Sequence, residues 1–328
     1  MKHNFRLGLG PMSYEIVDLL ASYAQAGNPL MIIASRNQVD VGGGYVMSTQ
    51  ELRKIIDQYP SDNLLLCRDH CGPYFLDSEK DLDGPKALEA TKKTIAADIE
   101  AGFDLIHIDT SRCLATYHVA EELIKFCLDL NPNIMFEFGT EENVGVAAGV
   151  EKYKADVLFA KDFPNMQFVV AQTGSLTLED KQAGVFESDV VKDLVGFAEH
   201  VGVKLKEHNA DYLTSDQILL RKDAGVHAVN IAPQLGVMQT RIIKEQANEY
   251  GLTTEWNQFA DAVYASGKWR KWFPILGSKE LIVDVAGHYL YQHATYKTLV
   301  EKLEPHVDWK SILDKELISL IELYENNL

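Results

Sequence analysis

Thiols are scarce in this chain: Cys67, Cys71, Cys113 and Cys127 are the four cysteines among 328 residues. That excludes a disulfide framework as the basis of the fold, and a chain of this length needs none, because it can bury a sizeable apolar core. Cys67 and Cys71 form a C-x3-C pair without a second such pair, which does not match a thiolate zinc site. Long apolar runs are missing as well. No run reaches the roughly 18 residues of a membrane span, and the opening MKHNFRLGLGPMS lacks a signal-peptide core, so a cytoplasmic location is expected. Basic residues are outnumbered, 31 Lys and Arg against 48 Asp and Glu, for a net charge of -17. Such a surface does not wrap a nucleic-acid backbone, although one local basic pocket for a small phosphate ester stays compatible with it. Phosphate-cradling loops are also absent. No Gly-x-x-x-x-Gly-Lys-Ser/Thr occurs, and LGLGPMS offers only Gly8 and Gly10 of a G-x-G-x-x-G pattern, which argues against a nucleotide kinase and a dinucleotide fold.

What is present is a rhythm. Short β-rich runs (5–10, 30–35, 63–68, 104–109, 134–139, 167–172, 203–208 and 227–232) alternate with segments whose apolar residues recur at three- and four-residue spacing. Several helical segments close on glycine, at Gly27, Gly102, Gly202 and Gly225, as a helix C-cap before the next strand requires. Eight strands alternating with helices predict a parallel sheet closed into an α/β (β/α)8 TIM barrel over residues 1–251. A doubly wound open sheet is the rival. Residues 252–328 break the rhythm, hold all four tryptophans, three of them in WNQFADAVYASGKWRKWF, and read as a helical extension packed on the barrel. Its aromatics are expected in core or interface packing, and a homo-oligomer is one use of them.

A barrel's chemistry sits at the C-terminal ends of its strands. That rule selects Asn37 and Gln38 after strand two, Asp69 and His70 at strand three, and Asp109 and Ser111 at strand four. Glu137 follows on strand five, Gln172 and Gly174 after strand six, His208, Asn209 and Asp211 after strand seven, and Asn230 on strand eight. Polar residues inside strand runs cost free energy unless paired or bound to something. His70, His208 and Glu137 suggest a divalent metal held by nitrogen and oxygen, with Asp69 placed as an acid or base beside it. Gly174 suits close approach of a phosphate. His107 and His200 are read as structural histidines.

The runs IIASRNQVDVGGGYVMSTQELR, LLLCRDHCGPY, AGFDLIHIDTS, FEFGTEEN and LKEHNADYLTSDQILLRKDAGVHAVNIAPQLG resemble the large-subunit family of class II tagatose-bisphosphate aldolases, historically labelled non-catalytic. More distantly they are similar to zinc-dependent class II fructose- and tagatose-bisphosphate aldolases. The resemblance implies Asp69 as proton donor and His70 and His208 as zinc ligands. It also implies Glu137 as a carboxylate near the metal, Glu141 and Glu142 as an acid pair on the following loop, and Asn230 as a substrate-binding asparagine. Catalytic relatives place a further zinc histidine after the strand-six glycine, whereas this chain reads AQTGSLTLED and has no histidine between His118 and His200. Gln172 or Glu137 is left to complete the metal shell. Two functions follow: metal-dependent retro-aldol cleavage of a ketose phosphate, read out as cleavage or C4 epimerisation, or a non-catalytic partner that stabilises a separate aldolase.

Overall fold

Residues 4–140 and 144–328 are described in a computed structural model of the chain. Eight parallel strands close into a barrel, each beside the one before it in sequence and the last hydrogen-bonded back to the first. They are β1 (Leu7–Leu9), β2 (Leu30–Ser35), β3 (Leu64–Cys71), β4 (Leu105–Asp109), β5 (Met135–Gly139), β6 (Met166–Val170), β7 (Lys204–Glu207) and β8 (Ala228–Ile231). The connecting helices are α1 (Tyr14–Gln25), α2 (Thr49–Ile56), α3 (Gly84–Glu100), α4 (Thr116–Leu130), α5 (Val150–Ala160), α6 (Ser188–His200), α7 (Ser215–Asp223) and α8 (Pro233–Glu249). The architecture is the closed (β/α)8 barrel that the alternation predicts, and the open sheet is excluded.

Local sequence starts these helices in the expected way. Ser13, Ser48, Asp83 and Thr214 each accept a backbone N–H at a helix entry, and Ser48 and Thr214 do so within capping boxes completed by Glu51 and Gln217. Strand alternation then sorts the core. Leu30, Ile32 and Ala34 face the helices with Leu64 and Leu66, while Met31, Ile33, Leu65, Cys67, Leu105, Phe168 and Ala228 form a separate cluster with Phe5. This inner plug fills the barrel, so whatever polar groups the strands carry inward collect at the other end.

The chain after the barrel continues as α9 (Thr253–Ser266), α10 (Lys279–Ala286), α11 (Ala294–Leu303) and α12 (Trp309–Asn327). They pack on α7 and α8 and bury Trp309, Leu313, Ile321 and Tyr324. The Tyr324 hydroxyl donates to the Ala210 carbonyl at 2.6 Å and accepts the Leu213 N–H at 3.3 Å, pinning the loop that follows β7. No helix among the described residues is long and apolar enough to cross a membrane.

Candidate active site

Strand β3 answers why an acid and an imidazole stand side by side. Arg68 pairs with Ile106 of β4, but it is Cys71, three residues on, that pairs with Ile108, two residues on. One extra residue is therefore accommodated as a bulge, with His70 at φ 45. In a regular strand Asp69 and His70 would face opposite ways; the bulge turns both towards the barrel mouth. Arg68 points the other way and locks the strand from behind, its guanidinium bidentate on Asp98 at 2.6 Å and donating to the Ala34 and Val39 carbonyls.

Around this bulge three imidazoles and a carboxylate converge. Asp69, His70, His107 and His208 each offer one ligand atom, and these atoms lie within 4.8 Å of one another. The outer nitrogens are tied down. His70 Nδ1 meets Asp109 Oδ2 at 2.7 Å, and His208 Nε2 meets Glu137 Oε1 at 2.5 Å, so each ring turns its other nitrogen inward. Imidazoles oriented by carboxylates in this way are the usual surroundings of a metal ligand. Glu137 is itself held by Lys206, whose ammonium is 2.7 Å from Oε2 and wholly buried inside the barrel. His107 Nδ1 accepts the His70 N–H at 3.2 Å, and its Nε2 has no partner.

The inward atoms are nearly all acceptors. Asp69 Oδ1 lies 3.3 Å from His107 Nδ1 and 3.8 Å from His208 Nδ1, while Asp69 Oδ2 lies 3.6 Å from His70 Nε2. Such a set is balanced only by a cation or a proton. Charge bears this out: burial would lower the His70 pKa, yet Asp69, Asp109 and Glu137 outweigh it and raise it to about 9. His208 is shifted the other way by its burial, against the pull of Glu137 and Asp69. For Asp69 burial opposes ionisation, but His70, His208 and His107 hold the carboxyl far below its ordinary range.

The expected site residues separate into those that meet here and those that do not. Asp69, His70 and His208 form the cluster. Glu137, expected as a ligand, is engaged between Lys206 and His208, and Asp109, expected on substrate, orients His70. Gln172 lines the cavity, with its side-chain oxygen accepting the Val144 N–H at 3.2 Å. Asn37, Gln38, Ser111 and Asn209 also line it. Gly174 does not line the cavity; at φ 98 a Cβ there would lie 1.8 Å from the Val185 carbonyl, so backbone packing by itself requires glycine. Asp211 lies off the cavity lining as well, its Oδ1 accepting the Ala232 and Gln234 amides at the start of α8. Asn230 is buried against Gly8 with neither amide atom partnered. Glu141 and Glu142 lie outside the described residues.

His107 is the residue sequence reasoning passed over. It lies two positions before Asp109 on β4, so strand alternation puts both on one face; that parity was the available signal. It supplies from β4 the third imidazole that the family resemblance looked for after β6. The donor set of three imidazoles and one carboxylate fits a divalent transition metal. The cluster opens into a cavity of about 1050 Å³, walled by the strand ends on one side and on the other by Lys268, Lys271, Trp272, His288 and Tyr289 of the extension.

Residues 15–124 match the family model described as D-tagatose-1,6-bisphosphate aldolase subunit GatZ/KbaZ-like. Among solved structures, a probable tagatose 6 phosphate kinase from Sinorhizobium meliloti 1021 superposes with a TM-score of 0.83 at 17% identity, covering 98% of this chain and 100% of that one. A fructuronate-tagaturonate epimerase from Cohnella laeviribosi matches with a TM-score of 0.65 at 10% identity over 98% of this chain and 81% of its own. The YdjI aldolase from Escherichia coli K12 gives a TM-score of 0.51 at 12% identity, covering 91% of this chain and 92% of that one. At these identities the superpositions show a shared fold.

Proposed function

We propose, from the premise that residues 15–124 carry the tagatose-bisphosphate aldolase subunit family, that this chain is a metal-dependent enzyme acting on a ketose phosphate. The reaction is reversible aldol cleavage, or C4 epimerisation when the cleaved aldehyde turns and re-adds. The observation that carries this reading is the convergence of Asp69, His70, His107 and His208, with the outer nitrogens of His70 and His208 held by Asp109 and Glu137. A pure scaffold has no use for imidazoles oriented by the buried carboxylates Asp109 and Glu137, whose burial costs desolvation.

His70, His208 and His107 would hold a divalent ion, zinc by donor type, with Asp69 beside it. When bound, that ion supplies Lewis acidity for a carbonyl oxygen. The chain's own residues do the rest. Asp109 and Glu137 keep His70 and His208 turned inward, Lys206 keeps Glu137 ionised, and Asp69 takes the proton from the hydroxyl whose carbon loses its bond. Asn37, Ser111 and Asn209, which line the same cavity, are suited to the sugar hydroxyls.

A second reading is favoured by the family's description as an aldolase subunit: a partner that supports a separate catalytic chain. Metal content of protein purified without chelator or affinity tag separates the two. About one transition-metal ion per chain, lost in a His70→Ala/His208→Ala variant, is the expected result, followed by cleavage or C4 epimerisation of ketose bisphosphates. No metal in either protein, even after zinc or manganese is restored, would leave the partner-subunit reading.

A further inference from the structure

The extension's side of the cavity carries positive charge that this acidic chain leaves uncompensated. Lys268 and Lys271, on the short turn Lys268–Trp272, line the cavity together with Lys80 and Arg112. Among the described residues no carboxylate stands within ion-pair distance of Lys268 or Lys271. Asp77, which lies in the field of both, is already held by Lys80 at 2.6 Å. Arg112 is fixed in place, donating to the Tyr74 carbonyl at 2.8 Å with its guanidinium 4.4 Å from the centre of the Phe75 ring. The two lysines are propped by aromatics instead of acids. The Lys271 ammonium is 4.5 Å from the centre of the Trp272 ring, and Lys268 and Lys271 stand 5.7 and 5.4 Å from that of Tyr289.

Behind them His288 also lines the cavity, 1% exposed, with its Nε2 lacking any hydrogen-bond partner. Its pKa is pushed down to about 3, first by burial and then by Lys271 and Lys268, so it is a neutral ring in a positive field. The buried orphan nitrogen is unfavourable on its own, and an anion drawn to the two exposed ammonium groups in front of it would give it a partner. Lysine, a compact charge with three rotatable donors, suits a phosphate.

We propose that this corner is a subsite for a phosphate monoester dianion, with Lys268 and Lys271 as its charge partners and His288 behind them. It would hold the end of the substrate remote from the imidazole cluster, and in that it rests on the sugar-phosphate reading above. The subsite belongs to the extension and not to the barrel strands, so substrate recognition spans both parts of the chain.

Equilibrium dialysis with radiolabelled inorganic phosphate tests this. Lys268→Gln/Lys271→Gln is compared with a charge-matched control on remote exposed lysines, Lys222→Gln/Lys297→Gln, and with His70→Ala/His208→Ala. Phosphate affinity should fall at least about tenfold in the first variant, two charge-assisted contacts being removed, and stay unchanged in the other two. Undiminished binding in Lys268→Gln/Lys271→Gln overturns the proposal, and so does loss confined to the histidine variant, which would put the phosphate at the imidazoles. Acetate binding as tightly as phosphate overturns the choice of a phosphate over a carboxylate. Dialysis requires neither metal nor turnover, so the subsite can fail while the metal assay succeeds, and the reverse.

Discussion

At the scale of single residues, the decisive group is one that touches no solvent. Lys206 is wholly buried, and its ammonium neutralises Glu137, which in turn fixes the tautomer of His208. Burial would keep Glu137 protonated, but Lys206, His107 and His208 hold its carboxyl far below the ordinary range. Lys206→Met therefore leaves a buried carboxylate without its cation, at a cost of about 3–5 kcal/mol. Adding Glu137→Gln removes that charge while keeping an oxygen for His208, so the double variant should recover most of the loss. Urea denaturation of the two proteins is the check; a double variant no more stable than Lys206→Met would mean the pair matters through packing alone.

At the scale of elements, the β3 bulge is the feature that makes a site out of a strand. His70 occupies a left-handed backbone conformation that a β-carbon disfavours. Both His70→Ala and His70→Gly remove the imidazole, but glycine also relieves the backbone, so His70→Gly should be more stable by about 1 kcal/mol. Equal stabilities would show that the bulge has relaxed. This element also marks where the sequence stops being readable. The strand runs, helix periods and barrel closure are legible because they rest on periods of 2 and 3.6. A bulge interrupts the period, so "CRDHC" discloses its chemistry but not how two adjacent side chains reach one side. At Gly174 and Asp211 a structural role stays hidden for a related reason. Each stands at the mouth in sequence, yet one is required by the Val185 carbonyl and the other by two amides of α8, contacts that arise only when distant segments meet. Lys206 is hidden because a lysine in "VKLKEH" looks like a solvated face, and only its Glu137 partner, from another strand, makes its burial tolerable.

At the scale of the whole molecule, stability carries a pH signature from Asp211. Burial pushes its carboxyl up to about 6 from 3.8, against the amides of Gln234 and Ala232 and the hydroxyl of Thr177. The folded value exceeds the unfolded one, so this group's contribution is complete below the unfolded pKa and is lost as pH rises through about 6. Asp211→Asn keeps an acceptor for the two amides and does not titrate. Wild-type stability relative to that variant should fall by about 1–3 kcal/mol between roughly pH 4 and pH 7, read from denaturation curves across that range. A flat difference would show that the carboxyl is ionised throughout.

The cavity has two walls with separate origins. The strand ends bring the imidazoles and carboxylates, whose positions are locked by the barrel's register, whereas Lys268, Lys271 and Trp272 arrive on a short turn between α9 and α10. On the proposed function, reactivity and selectivity would be written in different stretches of the same polypeptide. Descendants of this chain could then retune which molecule they accept by altering one turn, leaving untouched the groups that would act on it.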